Sequence, residues 1–269
     1  GTTPRLTHID DEKLTQNPTI LNSKELGRLL LIGGNTGYRS SKKVLVVDEC
    51  MNFLNKHSKL NIGRVGHSAL LLRNKDIFVI GGYNSESNQW LKSTECCFDA
   101  FEENKSEWQH MADMDEARYY FGACTWNSDF IFVFGGKNDQ FMEPNVKENY
   151  SKCLNSIERY NLEVNRWDKI ELKTYEKLPF CSHLVAIHIK LDRDRILIIG
   201  GESYNKKNNA FENVALVYKF DPVDEKVKKC QGLKSPDRFI IGQGICDGGM
   251  GVCALGEHYL HYYDGKTWQ

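Results

Sequence analysis

Apolar positions along the chain come in short runs, and four of these runs stop at a pair of glycines: "LLLIGG" (29–34), "IFVIGG" (77–82), "IFVFGG" (131–136) and "ILIIGG" (196–201). A fifth, weaker copy is "GVCALGE" (251–257), with Glu257 at the second glycine. Each run follows another apolar or alternating run: "RVGHSALLL" (64–72), "RYYFGACTW" (118–126), "CSHLVAIHI" (181–189) and "RFIIGQGIC" (238–246). After the glycines comes a polar stretch and then a third run, such as "KVLVVDE" (43–49), "STECCFDAF" (93–101), "NSIERYNLE" (155–163), "NVALVYKFD" (213–221) or "HYLHYYD" (258–264). Short fourth runs follow at "EWQHM" (107–111) and "RWDKIEL" (166–172). Valine, isoleucine, phenylalanine and tyrosine dominate, which predicts strands. Helical spacing does not persist through any long segment.

The second glycines, Gly34, Gly82, Gly136 and Gly201, recur at intervals of 48, 54 and 65 residues. Four short strands per period of about fifty residues predict the blades of an all-β propeller. The second strand of a blade lies near the axis and must turn outward where neighbouring sheets converge. Glycine tolerates a positive φ and a close backbone neighbour there. Trp108 and Trp167 open the fourth strands, where a flat ring can fill the widening gap between blades. Five blades are counted; six is the alternative. "PTILNSK" (18–24) serves as the first strand of blade one, and "RLTHID" (5–10) pairs with the last blade to close the ring and remove an exposed edge. The whole chain, 1–269, is thus read as one domain.

These features resemble the kelch-repeat family. The resemblance is carried by Gly-Gly ending strand two, by Phe98-Asp99, Phe220-Asp221 and Tyr263-Asp264 near the end of strand three, and by Trp108, Trp167 and Trp268. Arg64-Val65-Gly66-His67 resembles the Arg-x-x-His start of a kelch first strand. It implies a kelch β-propeller over about residues 16–269. Blade one departs from the pattern in lacking the tryptophan, and blade four lacks both it and the arginine.

Strands one and two form a hairpin, so the start of one and the end of the other share one face. That places Arg64, Arg118 and Arg238 beside the loops beginning at Asn35, Tyr83, Lys137 and Glu202. In kelch substrate receptors this face grips the partner, and the resemblance implies contact roles for the three arginines and for Tyr83. Three guanidinium groups around a channel mouth suit an acidic peptide, each holding a carboxylate by two parallel hydrogen bonds. The alternative is that the arginines tie neighbouring blades together. Lys137 and Glu202 carry opposite charges in equivalent loops, so the face need not be uniformly basic. The insertion "KNDQFMEPNVKENYSK" (137–152) enlarges it.

Composition changes this picture little. A formal charge of −1 without a basic block argues against nucleic acid as the main ligand. No apolar stretch is long enough for a membrane span, and the first residues lack the apolar core of a signal peptide. Nine cysteines with no C-x-x-C pair read as reduced thiols in a cytoplasmic or nuclear protein. No metal or other cofactor is expected. His258 and His261 lie three apart on one strand and so point to opposite faces, and a zinc site needs three or four converging ligands. "GMGVCA" (249–254) fits a dinucleotide fingerprint, but a turn and a strand follow it where a helix is required. No catalytic residue is assigned.

The expected function is non-enzymatic recognition of a peptide or protein on the loop face. Family habit adds the substrate-recognition half of a BTB/cullin-type ubiquitin ligase adaptor, joined to the ligase through other domains. An actin-binding or scaffold protein and a kelch-like enzyme, a sugar isomerase or oxidase, are the alternatives.

Overall fold

The computed structural model describes residues 19–23, 27–48, 53–73, 75–101, 107–139, 153–190, 194–205, 207–208, 210–237, 245–247, 251–255, 258–263 and 267–269. Among them every regular element is a β-strand. Four antiparallel sheets of four strands follow one another along the chain, and a three-stranded sheet ends it. Blade one comprises Thr19–Ser23, Arg28–Ile32, Val44–Asp48 and Phe53–Lys56. Blade two comprises Ser68–Leu71, Ile77–Ile80, Thr94–Cys97 and Trp108–Met111. Blade three comprises Gly122–Trp126, Phe130–Phe134, Ile157–Asn161 and Arg166–Lys169. Blade four comprises Val185–Lys190, Asp194–Ile199, Val217–Asp221 and Lys226–Lys229. The last sheet comprises Ile245–Asp247, Gly251–Leu255 and Leu260–Tyr263, and Trp268 bridges Tyr263 where a fourth strand is expected. First strands of successive sheets touch one another, which makes them the inner strands of a propeller. The segment 5–10, expected to close the ring, lies outside the described residues.

The apolar runs are continuous because the second strands of blades two, three and four are buried on both faces. Ile77 and Val79 pack toward blade one, with Leu30, Ile32 and Val46. Phe78 and Ile80 pack toward blade three, with Ile131 and Val133. Phe132 and Phe134 then face blade four. Each such side chain contributes about 1.5–3 kcal/mol of burial. The adjacent Cys96 and Cys97 obey the same alternation, one in each interface. Cys96, Cys97, Cys124, Cys153 and Cys181 are buried free thiols, and Cys230 is a half-buried one. Burial pushes the Cys97 and Cys153 thiols up to about 11, so they are unreactive near neutral pH.

The tryptophans bind one blade to the next. Trp108 Nε1 donates to the Ser58 carbonyl at 3.0 Å, and Trp167 Nε1 donates to the Ala112 carbonyl at 3.0 Å. Both carbonyls belong to the connection from the preceding blade.

The glycine pairs make the tighter joint. All eight have positive φ, from 60° to 107°. The second glycine donates its N–H to a carbonyl at the start of the next blade: Gly34 to Arg64 at 3.0 Å, Gly82 to Arg118 at 2.8 Å, Gly136 to Cys181 at 2.9 Å and Gly201 to Asp237 at 2.9 Å. A Cβ on Gly81 would lie 2.6 Å from the Arg118 carbonyl oxygen, and one on Gly135 would lie 2.6 Å from that of Cys181. Backbone geometry and close approach therefore both require glycine.

Arg64 and Arg118 complete this joint instead of projecting to the channel mouth. Both are fully buried. Arg64 Nη1 donates to the Gly81 carbonyl at 2.8 Å, and Nη2 reaches Ser93 Oγ and the Glu95 carboxylate. Arg118 repeats the pattern with Gly135, at 2.7 Å, Ser156 and Glu158. Each glutamate also accepts two backbone N–H groups from the entering loop, Asn61 and Ile62 for Glu95 and Asp115 and Glu116 for Glu158. Desolvation pushes the Arg64 pKa down, and the Glu95 charge opposes it.

The same joints set the register of the last blade. Gly201 binds the carbonyl of Asp237, so Asp237 occupies the position of Arg64 and Arg118. The expected arginine, Arg238, is one residue further on and lies outside the described residues. Ala254 pairs with His261 as Val79 pairs with Glu95, which puts His261 at the glutamate position. Asp237 Oδ2 and His261 Nε2 are 3.2 Å apart and buried. The acid has thus moved from the third strand to the first. In blade four the two positions hold Cys181 and Tyr218, with no charge at all.

Two outcomes follow. Arg118→Ala strands a buried carboxylate and is expected to cost about 3–5 kcal/mol in urea unfolding. Arg118→Met with Glu158→Leu is expected to cost far less; equal costs for the two would contradict a paired buried charge. The second outcome concerns His67, buried beside Arg64, whose pKa falls from 6.5 to about 3, first through desolvation and then through the Arg64 charge. The unfolded chain takes up this proton below pH 6.5 and the folded chain does not until about pH 3. Stability is therefore lost as pH falls through that window, by at most about 1.4 kcal/mol per pH unit. Between pH 6.5 and 5, His67→Gln is expected to lose about 1.6 kcal/mol less than the parent.

Candidate interaction face

The stretches after the first, second and fourth glycine pairs form ordered ribbons. Asn35–Thr36 pairs with Arg39–Ser40, Tyr83–Asn84 with Gln89–Trp90, and Glu202–Asn205 with Ala210–Asn213. The first two ribbons are linked: Ser40 Oγ donates to the Tyr83 carbonyl at 3.2 Å, and the Ser40 amide donates to Ser85 Oγ at 2.7 Å. This places half-buried Asn35 next to the Tyr83 ribbon, as the sequence implied for a shared face.

At the start of blades two, three and four the residue after the arginine position pairs with the residue after Gly-Gly: Val65 with Tyr83, Tyr119 with Lys137, and Ser182 with Glu202. The next residue, Gly66, Tyr120 or His183, has a left-handed φ of 64°, 51° or 52°. The Tyr120 amide donates to the Gly66 carbonyl and the His183 amide to the Tyr120 carbonyl, each at 2.7 Å. These bonds run around the inner mouth from blade to blade. Left-handed tyrosine and histidine carry backbone strain, which the joints on either side hold in place.

The strained positions set a row of rings along the face. Tyr83 lies 5.3 Å from Trp90 and 6.3 Å from Tyr119, measured between ring centroids. Tyr119 lies 4.9 Å from Tyr120, which stacks on His183 at 4.1 Å. The tyrosines and Trp90 are half-buried. Tyr83 and Tyr119 are anchored by their hydroxyls, which donate to Asn88 Oδ1 and Asp139 Oδ2, each at 2.6 Å. Burial, and then the Asp139 contact, hold the Tyr119 hydroxyl above its ordinary pKa, so it stays protonated.

Lys137 and Glu202, expected as separate contacts of opposite sign, form one ion pair at 3.1 Å. Glu202 also lies 3.3 Å from His183 Nδ1, and the Lys137 ammonium sits 4.0 Å above the Phe211 ring. Both charges are nearly buried, so they brace blade three against the ribbon of blade four. With Arg64 and Arg118 also buried and engaged, a face of three arginines for an acidic peptide does not form. Of the expected contacts, Tyr83 and Asn35 remain on the face as half-exposed groups. Sequence reasoning missed Trp90, Tyr119, Tyr120 and His183. The available signal was the tyrosine doublet after Arg118, since those two positions directly follow the joint.

Among the described residues no group of three His, Cys, Asp or Glu could hold a metal ion, and no helix is long and apolar enough to cross a membrane.

Comparison with known proteins fits this architecture. Residues 20–239 match the family model described as KLHDC2/KLHL20/DRC7 Kelch-repeats domain. The chain belongs to this kelch-repeat family. Two zebrafish (Danio rerio) proteins are similar to the kelch chain over 52% of its length: Kelch-like protein 40b, 27% identical over 143 residues, and Kelch-like protein 40a, 28% identical over 145 residues. The chain spans about one fifth of their length, 20% of each. The solved structure of YjhT shares the kelch chain's fold, with a TM-score of 0.68 over 95% of this chain and 84% of that one, at 12% identity. Kelch propellers of this kind are typically protein-interaction domains.

The Lys137–Glu202 pair has its own test. Lys137→Met is expected to destabilise by about 2–3 kcal/mol, because it leaves a nearly buried carboxylate without its cation. Combining it with Glu202→Gln is expected to recover much of that loss in a double-mutant cycle; strictly additive losses would contradict the pairing.

Proposed function

We propose that the chain is a non-enzymatic recognition domain that holds a segment of a partner protein across the ring row on blades two to four. The observation that carries this reading is the row itself: Trp90, Tyr83, Tyr119 and Tyr120 are half-exposed and neighbour one another, Tyr83 and Tyr119 anchored by hydrogen bonds and Tyr120 by strained backbone. Rigid aromatic rings give large contact area at low entropic cost and dominate binding energy where they occur. A row of ring faces suits an extended segment carrying apolar or proline side chains more than an acidic one. The wider role we propose is the substrate-recognition half of a BTB/cullin-type adaptor, the remaining domains lying elsewhere in the full-length protein. Family membership and the likeness to the two Kelch-like proteins support that step.

The test uses the full-length protein. Tyr83→Ala with Tyr119→Ala is expected to weaken binding of partner segments selected from a peptide display library by at least about thirtyfold, the loss typical of an aromatic hot spot. Cullin co-purification is expected to persist in the same variant. Undiminished peptide binding would refute the face, and absence of cullin from the parent protein would refute the adaptor role.

A further inference from the structure

The face opposite the ribbons carries a cleft of about 540 Å³. It opens between the first hairpins of blades two and three and extends to His188 on the inner strand of blade four. Phe78, Met111 and Phe130 are among the apolar groups lining it; Arg73, Asn127 and His188 stand among the polar ones. This volume is in the range of sites for small organic ligands.

The charges in the cleft are unevenly committed. Asp76 borders it, but its carboxylate is buried and accepts the Asp99 amide at 3.0 Å. His188 faces Asp194 at 3.7 Å, too long for a hydrogen bond. Burial lowers the His188 pKa; Lys190 and Arg73 act in the same sense and Asp194 against it, so the ring is neutral at pH 7. Arg73 is exposed and makes no hydrogen bond or ion pair among the described residues. The cleft therefore combines an apolar floor with one unengaged guanidinium and nearby amide and hydroxyl groups at Asn127 and Ser128.

We propose that this cleft binds a small amphipathic carboxylate, with its apolar body on Phe78, Met111 and Phe130 and its carboxylate on Arg73. A guanidinium with free donors holds a carboxylate by two parallel hydrogen bonds, which fixes the orientation of the bound molecule. The site lies on the other face from the ring row and does not depend on the partner reading.

The probe is sodium 4-phenylbutyrate, titrated into isotope-labelled protein and followed by amide chemical shifts. Its neutral counterpart is 4-phenylbutan-1-ol. Saturable shifts are expected at 71–76, 125–130 and around 188. Arg73→Gln is expected to weaken the acid by about tenfold, the worth of one charge-assisted contact. The alcohol is expected to bind about tenfold more weakly than the acid and equally well to both proteins. No saturable shift up to about 10 mM, a weaker affinity than any useful site, would overturn the proposal. So would shifts confined to other surfaces, or equal affinity for acid and alcohol. The alcohol comparison requires no variant, so dependence on charge is read even where Arg73→Gln alters stability.

Discussion

One main-chain hydrogen bond recurs at every blade boundary where both sides are described. The second glycine of a pair gives its N–H to the carbonyl that opens the next blade, at 2.8 to 3.0 Å. The first glycine brings the two backbones so close that no Cβ fits between them. Arg64 and Arg118 extend the joint: the main chain of each serves the preceding blade while its guanidinium clamps the glycine carbonyl of its own. The ring row depends on the same arrangement, because Tyr119, Tyr120 and His183 lie one or two residues after a joint carbonyl. Folding and recognition thus draw on one local geometry.

The side-chain half of the joint varies more than the backbone half. Blades two and three use a buried arginine and glutamate, blade four a cysteine and a tyrosine, and the last blade an aspartate and a histidine. Buried ion pairs cost desolvation on both partners and are retained only with full hydrogen bonding. Glu95 and Glu158 meet that condition through backbone amides, and Asp237 through the amides of His258 and Tyr259. The fold therefore tolerates an acid at either of the two positions, or none, provided the carbonyl at the start of each blade stays in place.

The backbone of this arrangement was legible in the sequence because it depends on glycine, on strand-forming apolar runs, and on tryptophans that open the fourth strands of blades two and three. The site was less legible. An arginine at the start of a strand reads equally as a contact or a tie, and the outcome turns on a glutamate about thirty to forty residues later, at the second residue of the third strand in blade two and in blade three. "STE" (93–95) and "SIE" (156–158) carry that information, but only once the register between strands is known. The same register separates Asp237 from Arg238. Lys137 and Glu202 look like independent surface charges because 65 positions separate them in the chain, whereas folding sets them 3.1 Å apart.

Native-state hydrogen exchange at the amides of Gly34, Gly82, Gly136 and Gly201 tests the blade joint most directly. Protection comparable to that of the second strands, lost only on global unfolding, is the result this account predicts. Exchange as fast as at the ribbon tip around Gly37 would contradict it.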